Sequence, residues 1–160
     1  MSELDPTTLR RELLLQEGID KQLDPLVRQA NTTAAKLKDS PRMEESQLRN
    51  LLNASIESSS IEVVINFIRY QIARSGSAWG TTPDSFGHAV IRDLRETLPA
   101  WAATVTKFVE GKDSAVLSAD ERSRIEVRLM QLYLGYLNRA FYYGKKTGEF
   151  DKLTEVAHAG

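Results

Sequence analysis

The sequence predicts an all-α protein, a compact bundle of about five to six helices with a long C-terminal helix. Apolar residues recur at helical spacing along most of the 160 residues, and β-branched clusters such as Ile61–Ile65 follow that spacing rather than the alternation of a strand. Prolines, glycines and capping residues divide the chain into segments of helical length. With 41% apolar and 27% charged residues, residues 1–160 have the composition of a single folded domain.

Capping residues and breaks predict the helices of the N-terminal half. Asp5 can cap a short helix with Pro6 in its first turn, and Gly18 is expected to end this helix within an N-terminal extension, residues 1–20. The next three helices are predicted from about Asp24 to Lys38, from Glu45 to Glu57 and from Ser60 to Ser75. Asp24-Pro25 favours a helix start, because proline is tolerated in a first helical turn.

Glycine and proline also punctuate the middle of the chain. The segment Gly76–Thr82 is the clearest loop, and its Trp79 is expected to be an interface or lid residue, whereas Trp101 is expected in the core. Thr82 can cap a helix with Pro83 at its first position. Pro99 is expected to divide the helical segment that Pro83 begins. The two resulting helices are predicted over Pro83–Thr97 and Leu98–Glu110.

The last helix carries the most information. Ser118-Ala-Asp-Glu121 has the spacing of a capping box, and an apolar stripe from Ile125 to Phe141 comes after it at helical spacing. Basic residues lie off this stripe, so we expect one buried side and one charged side. Residues 151–160 are expected to form a flexible tail.

The composition excludes several kinds of protein. The formal net charge is -1 and there are no cysteines, so disulfides and thiolate zinc sites are excluded and any anion-binding surface needs local segregation of Lys and Arg. No apolar run reaches the roughly 18 residues of a membrane span. The N-terminal sequence lacks the basic and apolar regions of a signal peptide. We therefore expect a cytoplasmic protein without membrane contact.

The residues that carry catalysis in enzymes are scarce. Two histidines are present, and His88 has no obvious partner on its helix. Glu155 and His158 have the spacing of half a carboxylate-bridged di-metal site, but a second such pair is missing. The sequence therefore predicts no catalytic residue, no metal site and no cofactor.

The function that remains is binding of a partner molecule. The candidate binding residues are basic residues on the polar sides of the helices. Arginine forks suit phosphate, and neighbouring Asn, Gln and Tyr side chains can bond phosphate or 2′-hydroxyl oxygens. Each cation could equally be solvated, and Arg74, Lys145 and Lys146 could cap helix ends. The candidate RNA-binding residues are Arg49, Arg69, Arg74, Arg139, Lys145 and Lys146.

Three blocks resemble the small subunit of type III-A CRISPR effector complexes, the Csm complexes. They are Gln47-Leu-Arg-Asn-Leu-Leu-Asn53, Phe67-Ile-Arg-Tyr-Gln-Ile-Ala-Arg74 and Tyr133-Leu-Gly-Tyr-Leu-Asn-Arg-Ala-Phe-Tyr-Tyr-Gly-Lys145. Their order and spacing are similar to the family over about Leu23 to Lys146. The chain departs from it at Gly135 and Asn138-Arg139, where the family often has an acidic residue and a His-Lys pair.

The resemblance implies a non-catalytic helical bundle in antiviral defence. Several copies would stack along the duplex of crRNA and target RNA, beside other type III effector subunits, and contact its backbone without reading sequence. Carried onto this chain, the family's basic positions are Arg49, Arg69, Arg74 and Lys145. Arg139 and Lys146 are added from helix geometry.

Other functions stay open at this point. The alternative is a helical protein–protein interaction adaptor without nucleic-acid binding, which would show exposed apolar residues. A small helical enzyme lacks a catalytic set. A DNA-binding helix-turn-helix is disfavoured because the helix from Ser60 to Ser75 is too rich in Ile and Val to present an open reading surface.

Overall fold

A computed structural model of the protein describes residues 5–155, and all of the regular structure in this range is helical. This confirms the all-α bundle with a long C-terminal helix. The helices are α1 (Pro6–Asp20), α2 (Leu23–Ala34), α3 (Glu45–Glu57), α4 (Ile61–Arg74), the single turn α5 (Gly76–Trp79), α6 (Phe86–Arg92), α7 (Leu98–Asp113) and α8 (Ala119–Thr147). Short 3₁₀ helices, Ala35–Asp39 and Phe150–Thr154, come after α2 and α8. Within residues 5–155, none of these helices has both the length and the apolar character that crossing a bilayer requires.

Side-chain caps account for where α1, α4 and α8 begin. The Asp5 carboxylate accepts a hydrogen bond from the Thr8 N–H at 2.8 Å, and the Ser60 hydroxyl accepts one from the Val63 N–H at 3.3 Å. At the start of α8, the Glu121 N–H donates to Ser118 Oγ at 3.1 Å, and the Ser118 N–H donates to the Glu121 carboxylate at 3.0 Å. These bonds satisfy N–H groups that a helix start otherwise leaves unpaired.

The long helix α8 lies at the centre of the bundle. It packs against α1, α2, α3 and α7 and against both 3₁₀ helices, and no residue from Leu129 to Asn138 is exposed. The predicted apolar stripe is buried as expected, but the prediction of one charged side holds only toward the ends of α8. Neighbouring helices cover its middle on every side, because this central helix supplies core residues to most of the bundle.

Pro99 divides the chain near the predicted position, and it does so through an unusual turn. Asp93–Thr97 form a π-helical turn between α6 and α7, in which the Leu98 N–H donates to the Asp93 carbonyl five residues earlier. Proline has no N–H to continue the α-helical ladder, and a wider turn accommodates that loss. The helix before it begins at Phe86 rather than Pro83, so the prediction of Thr82 as its cap is wrong.

Trp79 belongs to the core, which corrects the expectation of an interface or lid residue. Its side chain is 0% exposed, and its ring centroid lies 5.6 Å from that of Phe86. The short helix α5 turns the indole inward, so the predicted loop Gly76–Thr82 is anchored to the bundle. Trp101, expected in the core, is half-buried against it.

Two glycines mark close contacts rather than chain breaks. Gly18, predicted to end α1, lies inside that helix, where an added Cβ would lie 3.0 Å from the Val105 side chain of α7. Gly144 lies in the last turns of α8, and a Cβ there would lie 2.3 Å from the ring of Phe150. Glycine is therefore needed where another side chain presses onto the helix backbone.

Part of the segment 151–160, predicted to be a flexible tail, has regular structure, because Phe150–Thr154 form the second 3₁₀ helix. Phe150 is buried and Leu153 is half-buried against the core. The Lys38 ammonium lies 3.1 Å from the Asp151 carboxylate. The 3₁₀ helix Phe150–Thr154 thus packs against the bundle, while 156–160 lie outside the described residues, as does His158 of the considered metal pair.

Candidate nucleic-acid interface

Four of the six candidate cations are arginines on exposed helix surfaces. Arg49 is exposed on α3, Arg69 and Arg74 on α4, and Arg139 on α8. Among residues 5–155, none of these four guanidinium groups has a carboxylate partner within 4.0 Å. Their charge is therefore available to an anionic ligand.

The helices α3 and α8 are antiparallel neighbours. At one end Lys146 Nζ lies 3.1 Å from the Glu45 carboxylate, and at the other the Gln131 amide donates to the Ser55 carbonyl at 3.2 Å. Residues that oppose each other in this pair therefore have numbers that sum to about 190.

This register places three of the candidates along one line of contact between the helices. Arg49 is one turn beyond Glu45 on α3, and Tyr142 and Arg139 are one and two turns before Lys146 on α8. The ion pair of Lys146 with Glu45 and this register assign all five residues to the border between α3 and α8, which we call the α3–α8 seam. The structure thus brings Arg49, Arg139 and Lys146 to one region.

The remaining two arginines form a separate group on α4. This helix packs mainly against α3, α5 and α6, and its buried residues are Val64, Ile65 and Ile68. Arg69, Tyr70 and Arg74 lie on the opposite, exposed side. We call these three residues the α4 group.

Lys145 has a structural role that helix geometry alone did not reveal. Its ammonium donates to the Met43 carbonyl at 2.7 Å and lies 3.4 Å from the Pro41 carbonyl. The side chain is only partly exposed. Lys145 therefore ties the end of α8 to the turn before α3, and its charge is directed into the protein.

Lys146 is exposed but already has a partner. The hydrogen bond to Glu45 raises the pKa of Lys146, as expected for an ammonium beside a carboxylate. This ion pair is exposed to solvent, so an anionic ligand can compete with Glu45 for the ammonium. Lys146 thus differs from the four arginines, which are free of carboxylates in the described range.

A comparison of the chain with protein-family models, curated proteins and solved structures finds no match. The interpretation of the basic surface therefore depends on the geometry of its side chains.

Sequence reasoning missed the main buried polar cluster. The Asp93 residue is 5% exposed, and its carboxylate accepts hydrogen bonds from Thr33 Oγ1 at 2.6 Å, from Gln29 Nε2 at 2.8 Å and from the hydroxyl of Tyr133. These four residues, the Asp93 cluster, connect α2, the π-helical turn and α8. The signal in the sequence was weak, because Asp93 reads as one more acid on a polar helix side.

The other titratable groups do not assemble into a metal site. Residues 5–155 contain no group of three or more His, Cys, Asp or Glu side chains that could hold a metal ion. His88 is half-buried on α6. Glu155, the described member of the pair with His158, is exposed.

The Asp93 cluster makes the free energy of unfolding depend on pH in the alkaline range. Burial, reinforced by the Asp93 carboxylate, raises the pKa of Tyr133 well above its usual value, which is about 10. The folded protein keeps this proton where the unfolded chain loses it, so the stabilisation is complete below pH of about 10 and is lost as pH rises toward the folded pKa. We expect the free energy of unfolding to fall above pH of about 10 more steeply in the wild type than in Tyr133→Phe.

Urea unfolding at a series of alkaline pH values measures this difference. Tyr70→Phe, a substitution at an exposed position, serves as the control and should retain the wild-type pH dependence. Identical pH slopes in Tyr133→Phe and the wild type would contradict the expected linkage.

Proposed function

We propose that this chain is a non-catalytic small subunit of a type III CRISPR ribonucleoprotein, which binds the RNA backbone in the cytoplasm. Several copies stack along the duplex of crRNA and target RNA, beside the other effector subunits, and serve antiviral defence. The similarity of the three sequence blocks to the Csm small subunit supports this proposal. The observation that carries it is the set of four exposed arginines that have no carboxylate partner within residues 5–155.

The exposed arginines suit a phosphate backbone. A guanidinium presents five N–H donors in a planar fork, which matches the paired oxygens of a phosphate. Arg49, Arg69, Arg74 and Arg139 are spread over three helices, and that distribution fits an extended strand better than a small ligand. Contacts of this kind position RNA and carry no sequence information.

The overall charge is compatible with stacking of copies. The net charge of -1 limits repulsion between neighbouring copies, while local groups of arginine attract RNA. Other arginines are already neutralised, for example Arg11 in its ion pairs with Asp113 and Glu121 at 2.9 Å each. These pairs join α1 to the end of α7 and to the start of α8.

The decisive measurement is the salt dependence of RNA binding by a variant with Arg49, Arg69 and Arg74 all replaced by alanine. We expect binding weakened about tenfold or more at moderate salt, since each lost phosphate contact removes a charge-assisted hydrogen bond. The slope of log K against log salt should become shallower by about 2 to 3, because each contact releases roughly one counterion. Fluorescence anisotropy with a labelled RNA duplex over a range of salt concentrations measures both quantities.

A second triple variant controls for the change in net charge. Arg28, Lys107 and Lys112 are exposed on α2 and α7 and also lack carboxylate partners within residues 5–155. Alanine at these positions should leave most of the affinity intact. If both triple variants bind RNA like the wild type, or if both lose affinity equally, the proposed surface is wrong.

A specific observation favours a second candidate function, the protein–protein adaptor. Leu9 and Leu13, one turn apart on α1, are 47% and 63% exposed, and Val116 is 81% exposed. Exposed apolar side chains of this size are suited to a protein partner. An adaptor should retain a co-purified protein partner after ribonuclease treatment and lose it in Leu13→Asp, whereas an RNA-bridged partner is lost on ribonuclease treatment alone.

A further inference from the structure

Two tyrosines interrupt the basic surface. Tyr70 in the α4 group is 57% exposed, and Tyr142 in the α3–α8 seam is 54% exposed. By contrast, Tyr133 is 1% exposed inside the core. Aromatic residues on the apolar stripe explain core packing, but these two rings contribute little to it.

Each exposed ring has a cation one helical turn after it and an arginine shortly before it in the sequence. Arg74 Cζ lies 5.9 Å from the ring centroid of Tyr70, and Lys146 Nζ lies 5.6 Å from that of Tyr142. Both cations come four residues after their tyrosine, one turn along the helix. Arg69 directly precedes Tyr70, and Arg139 precedes Tyr142 by three residues.

This arrangement combines the two elements that single-stranded RNA recognition uses. An open aromatic ring offers a stacking surface to an unpaired base, and adjacent cations neutralise the phosphates on either side of it. A cation within about 6 Å of a ring centroid is also attracted to the face of the ring. Within a duplex, neighbouring base pairs cover both faces of each base, so stacking on Tyr70 or Tyr142 requires an unpaired nucleotide.

We propose that Tyr70 and Tyr142 each stack on an unpaired base of bound RNA while the flanking cations contact its phosphates. This inference rests on the proposed function and extends it, because it adds single-stranded nucleotides to the duplex backbone as a ligand. The two tyrosines confer a preference for strands that carry bases, without selecting one base, since every base has a π face.

The test compares two RNA oligomers of equal length and charge, one of adenosines and one with abasic riboses. We expect the wild type to bind the adenosine oligomer roughly fivefold to hundredfold more tightly per stacked base. The variant with Tyr70→Leu and Tyr142→Leu should lose that preference and keep the salt slope of the wild type. A variant with phenylalanine at both positions retains the rings and should retain the preference.

The outcomes separate this inference from the proposed function. Equal binding of both oligomers by the wild type, with a steep salt dependence, overturns the stacking and leaves the backbone binding in place. An undiminished preference in the leucine variant also overturns it and assigns the tyrosines to another partner, such as a protein surface. Absence of binding to either oligomer also overturns the stacking, and the duplex titration of the arginine variants then decides the proposed function by itself. Leucine favours helices, so circular dichroism should show both variants folded.

Discussion

Replacing Asp93 with alanine is expected to lower the free energy of unfolding by about 3 kcal/mol or more. The substitution removes the acceptor of three hydrogen bonds, from Gln29, Thr33 and Tyr133. A buried donor left without a partner costs about 1–3 kcal/mol, and the Tyr133 hydroxyl and the Thr33 hydroxyl are both buried. Urea unfolding followed by circular dichroism measures the loss.

The control is Glu96→Ala, an exposed substitution in the same π-helical turn. It should change the free energy of unfolding by less than about 0.5 kcal/mol. A double-mutant cycle of Asp93→Ala with Tyr133→Phe should show strong coupling, because the two side chains share a hydrogen bond. Additive effects in this cycle would show that the cluster does not act as a unit.

The second large effect is expected at Trp79. Alanine at this position should cost about 3–5 kcal/mol, because it removes a fully buried indole and leaves a cavity beside Phe86. The change also detaches the segment after α4 from the core. Thermal and urea unfolding of the purified variant measure the loss.

Trp79→Phe separates packing from hydrogen bonding at this site. The indole N–H of Trp79 is buried and makes no hydrogen bond within residues 5–155. Replacement by phenylalanine therefore loses no hydrogen bond within this range. We expect this variant to lose clearly less stability than alanine. If both substitutions are equally harmful, ring packing is not what Trp79 contributes.

Local signals in the sequence predict much of the fold. The caps at Asp5, Ser60 and Ser118 depend on residues three positions apart, and such contacts can be identified from spacing alone. The bounds of α3 agree with the prediction at both ends. Pro99 is recognisable as a break because a missing N–H disturbs a helix anywhere beyond its first turn.

The wrong predictions fall where distant contacts decide the structure. Flanking glycines favour an exposed Trp79, but the core formed by Phe86 and its neighbours covers the indole. Phe150 lies just before the predicted tail, but it packs onto Gly144 and holds the chain after α8 to the bundle. Hydropathy within one segment contains no information about which other segment will cover it.

The candidate interface is predictable only in part for the same reason. Exposure of Arg49, Arg69, Arg74 and Arg139 follows from their places opposite apolar residues. The binding of Lys145 to the Met43 carbonyl spans 102 residues, and the ion pair of Lys146 with Glu45 depends on how α3 packs against α8. Such pairings arise from tertiary structure, which the spacing of residues does not specify.

The central place of α8 has a consequence for the order of events during synthesis. Residues 5–118 are made before Ala119–Thr147, so the surfaces of α2, α3 and α7 that cover α8 stay open to water while translation proceeds. The buried residues of α2 and α3 include Leu26 and Leu51, each 0–1% exposed once the protein is complete. Folding to the closed bundle therefore waits for the last helix, and incomplete chains present apolar surface that chaperones and proteases recognise.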